Sequence, residues 1–184
     1  MERADVLRKM QEKAEAVQTI VAQVKSLEEA FQYTVALTLK QGGATLAAPT
    51  LGEQDRASLE GICAESGIRL LDGNLRAHMK EIHTAFTPVE CGIAETGTVV
   101  VDSTSENVRL ATMLSETHVA LVPASRIYPD AMSIESDLRE RMLAPPRYMA
   151  FISGASRTAD IERVLTIGVH GPQELHILIM EETE

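Results

Sequence analysis

The stretch His118-Val119-Ala120-Leu121-Val122-Pro123 decides the fold. Four apolar residues follow one another with no polar alternate, and a proline punctuates the run. A run this short, without helical spacing, reads as a strand buried on both faces. Working outward, Arg147-Tyr148-Met149-Ala150-Phe151-Ile152-Ser153 and Glu174-Leu175-His176-Ile177-Leu178-Ile179-Met180 read the same way, as does Thr98-Val99-Val100-Val101. Shorter strands are expected at 44–49, 67–71 and 83–86. Between them lie helical segments. Thr50-Leu51-Gly52-Glu53 caps one running to Ser66, and another covers 75–81. Ser103-Thr104-Ser105-Glu106 is a capping box that opens a third through Met113, and a fourth spans 133–142. Short buried strands alternating with helices predict an α/β fold, with a mostly parallel central sheet flanked by helices.

Upstream, Leu7, Met10, Ala14, Val17, Val21 and Val24 recur at steps of three and four, one apolar stripe on one helix. The phase slips at Leu27, where Ser26-Leu27-Glu28-Glu29 is again a capping box. The segment is either one long helix with an irregularity or two helices meeting near Lys25, and it stops at Gln41-Gly42-Gly43. It is therefore set apart as an N-terminal helical arm, 1–43, from an α/β domain, 44–184. Its stripe faces the chain's own core, as most such stripes do, or forms a homo-oligomer contact.

The 184 residues suit one domain, and 45% of them are hydrophobic, enough for a packed core. Aromatics are 3% and Trp is absent, so base-stacking platforms are scarce. Lys and Arg number 17 against 27 Asp and Glu, a formal charge of −10. Neither nucleic acid nor an anionic membrane surface suits that balance. No apolar run reaches membrane-spanning length, and Met1-Glu2-Arg3-Ala4-Asp5 lacks the apolar stretch of a secretory signal, so a cytoplasmic location is expected. Cys63 and Cys91 form no CxxC and read as buried thiols, so no iron–sulfur cluster or zinc is expected on this chain alone.

Parallel sheets bind ligands at the carboxyl ends of their strands, and three segments are read there. Cys91-Gly92-Ile93-Ala94-Glu95-Thr96-Gly97-Thr98 sets Glu95 between glycines as a candidate acid, base or nucleophile. Thr96, Gly97 and Thr98 are its candidate ligand contacts; the plainer alternative is a turn whose Glu95 caps a helix. Ser153-Gly154-Ala155-Ser156-Arg157-Thr158-Ala159-Asp160-Ile161-Glu162 leaves a strand and enters a helix with Thr158 as N-cap. Ser153, Gly154, Ser156, Arg157 and Thr158 are candidate anion contacts there. Asp160 and Glu162 oppose a second anion, and a capped helix with a paired Arg157 is the alternative. In Gly168-Val169-His170-Gly171-Pro172 the proline shapes Gly171, and His170 is a candidate general base or a turn-stabilising side chain. Glu95, Arg157 and His170 are expected to open onto one cleft. His176 reads as a core or edge residue of its strand. His78, His83 and His118 have no metal-ligand spacing, so no metal site is expected.

Segments 92–98, 118–127, 153–162 and 168–176 occur in that order, and together they resemble the LUD domain family of the lactate utilisation protein C type. The resemblance covers 83–181. It implies a fold related to the sugar-phosphate isomerase and coenzyme A transferase superfamily. It also implies participation in oxidising L-lactate to pyruvate beside two partner proteins that carry iron–sulfur clusters. The chain lacks the cysteine-rich ferredoxin-like segment of the cluster-bearing type, so it is expected to bind no cofactor itself. Three readings follow. The first is a subunit that binds partners and a small carboxylate or phosphate. The second is a stand-alone transferase or isomerase-like enzyme for a coenzyme A ester or sugar phosphate, with Glu95 as base or nucleophile. The third is a non-catalytic scaffold.

Overall fold

The computed structural model describes residues 2–143, 147–158, 166–168 and 170–181. In chain order the elements are α1 (Arg3–Ala16), β1 (Ile20–Val24), α2 (Leu27–Lys40), β2 (Thr45–Ala47), α3 (Glu53–Glu65) and β3 (Arg69–Leu71). After a 3₁₀ turn at Leu75–His78 come β4 (Thr84–Pro88), β5 (Cys91–Ile93), β6 (Thr98–Asp102), α4 (Glu106–Leu114), β7 (Thr117–Pro123) and β8 (Ile127–Tyr128). The rest are α5 (Glu135–Leu143), β9 (Met149–Ile152), β10 (Arg157–Thr158), β11 (Thr166–Ile167) and β12 (Glu174–Met180).

The fold is α/β around a six-stranded sheet in the order β1-β12-β7-β4-β2-β3, with every neighbouring pair parallel. β7 lies between β12 and β4, which is why its apolar run needs no polar alternate. Val119 and Leu121 face a cluster with Phe31 and Val35 of α2 and Leu59 and Cys63 of α3. Ala120 and Val122 face the opposite cluster, with Val6, Met10 and Ala14 of α1 and Val108 of α4.

That second face also meets a smaller sheet, β8-β5-β6-β9, in which β5–β6 and β6–β9 are antiparallel. Val99 and Val101 point into the shared cluster, while Cys91, Ile93 and Val100 pack on the far side against Ile134 and Leu138. The strands expected at 98–101 and 147–153 thus belong to this sheet. Their apolar runs arise from burial between layers, which looks the same in sequence whichever sheet supplies the strand.

The segment 1–43 is not a separate helical arm. Its Val17-Val21-Val24 continuation of the stripe breaks, because α1 ends at Ala16 and Gln18 turns to φ +63°. Thr19-Ile20-Val21 then enters β1, which pairs with β12 from Ile20↔His176 to Val24↔Met180. Three successive β-branched residues favour a strand, and they outweigh a helical spacing that two valines happen to extend. The capping box at Ser26 is real: the Glu29 amide donates to Ser26 Oγ at 3.2 Å. The helices expected to open at Thr50 and Ser103 start later, with Gly52 and Ser105 as N-caps. The helix placed after Thr158 lies outside the described residues. No helix among the described residues is long and apolar enough to cross a membrane.

Candidate functional site

The glutamate loop joins β5 to β6 as a hairpin. Gly97 sits at φ +63° with α1 against it, and a Cβ there would lie 2.3 Å from the Ala14 nitrogen. Glycine is required by both backbone and space. Glu95 is exposed, and its amide donates to Pro129 O at 3.1 Å. Thr96, Thr98 and Ser153 form a hydroxyl chain, 2.6 Å per step, tying the hairpin to the end of β9. Arg157 donates to the carbonyl of Val17, and the backbone of Gly154 closes on the same carbonyl. These groups seal the end of α1. Thr158 is the second residue of β10, paired with Thr166 in a two-stranded ribbon.

Gly154, Ser156, His170 and Gly171 do converge, on a cavity of about 190 Å³ whose wall includes His118, Met113 and Leu175. Neither Glu95 nor Arg157 lines it. The shared cleft expected of Glu95, Arg157 and His170 is therefore not formed. The Glu95 amide is held by the Pro129 carbonyl and the Arg157 side chain by that of Val17, and of the three only His170 reaches the cavity.

A larger crevice, about 720 Å³, opens where the strand order reverses. From β2 the chain moves outward to β3, then returns to place β4 on the other side of β2. Parallel sheets diverge at such a point beyond their carboxyl ends and leave a ligand-sized gap. Thr50 follows β2, Pro88 ends β4 and Glu90 follows it, Asp102 ends β6, and Arg126 lies just after β7. Ser105 and Val108, from the start of α4, and Arg147 complete the wall.

The charges in this crevice are partly spent. Arg147 binds Asp102 at 2.7 Å, and Arg141 binds Glu90. Burial raises the Asp102 carboxyl, but hydrogen bonds from Thr104 and Arg147 outweigh it and hold the group below its ordinary range. Arg126 approaches Asp137 at 3.9 Å, too far for a hydrogen bond, so its guanidinium keeps donors for a ligand. Ser105 is the N-cap of α4 without a side-chain capping bond, and the helix's positive end faces the gap. An arginine fork beside a helix start suits a carboxylate or a phosphate.

Sequence reading missed Arg126, Arg147, Asp102 and Thr50 as site residues. The available signal was position: each follows or borders a strand end, and Arg126 stands within one of the four ordered segments. The two cysteines are buried and free, and burial pushes each thiol up to about 11, far from a reactive thiolate. Among the described residues, no group of three His, Cys, Asp or Glu side chains is arranged to hold a metal.

The LUD domain family matches this chain over residues 7–180. The protein named lactate utilization protein C in Bacillus licheniformis is 32% identical over 110 residues, which are 58% of this chain and 45% of that protein. Its namesake in Anoxybacillus flavithermus is 37% identical over 90 residues, 49% of this chain and 40% of that one. This chain thus spans about half the length of the curated relatives it matches. The crystal structure of a DUF162 family protein from Deinococcus radiodurans superposes with a TM-score of 0.65 at 15% identity, covering 98% of this chain and 99% of that one, and so shares the fold.

Proposed function

Because this chain belongs to the LUD domain family, we propose that it serves lactate utilisation, as the anion-binding component of a multi-protein system that oxidises L-lactate to pyruvate. The names of the relatives support the pathway. The observation that carries the molecular role is the crevice at the strand-order reversal, where Arg126 and Arg147 flank the uncapped start of α4. Arg126 takes the carboxylate of the ligand, and hydroxyls of Thr50 and Ser105 are available to its 2-hydroxyl group. The iron–sulfur centres reside on partner proteins, since the two thiols here are buried and distant in sequence. Calorimetric titration with L-lactate tests the site. We expect saturable binding, weakened at least tenfold in Arg126→Ala, because a charge-assisted hydrogen bond contributes about 1.5–3 kcal/mol. Equal affinity for the uncharged lactamide, or an unaltered Arg126→Ala, would overturn it.

One observation favours a second reading, a stand-alone enzyme acting on a coenzyme A ester or sugar phosphate. The crevice, about 720 Å³, falls within the roughly 300–1,000 Å³ of sites that enclose much larger ligands than a three-carbon acid. Glu95 stands beyond the opposite end of β6, roughly 13 Å of strand from Asp102, so the base in this reading is sought among the crevice residues. Thermal stabilisation by acyl-coenzyme A or a sugar phosphate, exceeding that by lactate, selects it. If all three ligands leave the melting temperature unchanged, the scaffold reading stands.

A further inference from the structure

The cavity that gathers Ser156, His170 and Gly171 is the inner half of a longer groove. An outer lobe of about 360 Å³ shares Met113, His170 and Gly171 with it and is lined further by Leu114, Ser115, Glu116 and Gln173. The groove runs between the last turn of α4 and the corner before β12, at the amino end of the central sheet. The anion crevice lies at the opposite, carboxyl end. We propose that this groove is a second ligand site, taking a small uncharged molecule with an apolar body of about benzene size and one hydrogen-bonding end.

Size, polarity and charge each carry part of this. The inner lobe, about 190 Å³, exceeds the roughly 150 Å³ at which an apolar protein cavity accepts benzene. Its apolar walls are Met113, Ile152, Pro172 and Leu175, with Thr112, His118, Ser156 and His170 as the polar residues. On the outer lobe's wall, Ser115 is only 2% exposed, and its buried Oγ makes no hydrogen bond among the described residues. A buried hydroxyl without a partner is uncommon and costly, and a ligand's polar end would satisfy it.

Among the described residues, no arginine or lysine lines either lobe, and Glu116 is the only carboxylate that does. Burial keeps His118 neutral, with its pKa lowered to about 4, which leaves His170, on the wall of both lobes, as the one other imidazole there. A carboxylate entering here would lose its hydration and meet Glu116, with the His170 imidazole as the one group among the described residues to oppose its charge. The two ends of the sheet therefore select opposite ligands, anions at the crevice and neutral molecules in the groove. Met113 and Leu114, 56% and 41% exposed, form an apolar lip that a flexible thioether can reshape around different bodies.

The test uses two probes of one shape, benzyl alcohol and benzoate, and reads the methionine methyl resonances of the full chain by NMR. Met113 lines the groove, whereas Met132, 76% exposed and next to α5, is the control. We expect a saturable shift at Met113 with benzyl alcohol, none at Met132, and at least tenfold weaker binding of benzoate. Ser115→Ala, which removes a hydroxyl without a hydrogen bond among the described residues, should leave the fold intact and weaken benzyl alcohol about fivefold. The proposal is overturned by an unmoved Met113, by parallel shifts at Met132, by equal affinity for benzoate, or by full affinity in Ser115→Ala. None of these outcomes bears on lactate binding at the crevice, which is read separately through Arg126.

Discussion

His118 shows how one residue links a buried strand to pH. It is wholly enclosed, with Nε2 2.7 Å from the Thr87 hydroxyl, and burial alone lowers its pKa to about 4. In the unfolded chain it titrates near 6.5, so between those values the unfolded state holds more protons and stability falls as pH falls. Across that window the loss is on the order of 3 kcal/mol for this one group. His118→Gln keeps a hydrogen-bonding end at the Nε2 position and removes the proton, so urea unfolding from pH 7 to 4 should show a flatter dependence than the wild type. Identical slopes would mean that His118 is accessible to protons in the fold. In sequence His118 was only a histidine without metal spacing. Its partner stands 31 residues away and meets it because β4 and β7 are neighbours. His176, read as a core or edge residue, is buried between Tyr33 and Glu174, bonded at 2.8 and 3.0 Å.

At the scale of elements, α1 and β1 are the pieces that sequence reading separated and packing joins. α1 puts Met10 and Ala14 into the core with no measurable exposure, and β1 covers the edge of β12. Removing residues 1–24 should therefore leave a chain without cooperative thermal unfolding, because five residues of β12, from His176 to Met180, lose their strand partner and gain an open edge. A milder cut, Met10→Ala, should cost about 2–5 kcal/mol in urea unfolding, the usual range for emptying a methionine-sized core position. A folded, monomeric 25–184 fragment would restore the picture of a dispensable arm. The capping boxes teach the same lesson. Ser26 caps where it stands, but Thr50 and Ser103 do not, and Ser103 Oγ donates instead to Tyr148 O, just before β9, at 2.9 Å.

Across the whole molecule, stability is expected to peak where the layers overlap, at β7 and β12. Native-state hydrogen exchange should be slowest at 119–122 and 177–179 and faster at the edge strands β3 and β9, whose outer sides are unpaired in their sheets. Equal protection at β9 would point to a pairing partner for that edge. The α/β class, the buried strands β7 and β12 and the order of most helices were legible in the sequence alone. Burial on two faces and helical spacing are local patterns that survive without knowledge of neighbours. Which sheet received 98–102, where α1 gave way to β1, and that Arg126 and Arg147 face one gap while Glu95 does not, were decided only by the tertiary structure. Sheet order and strand reversal bring together residues far apart in the chain, and a pairwise distance of that kind leaves no periodic mark in the sequence that encodes it.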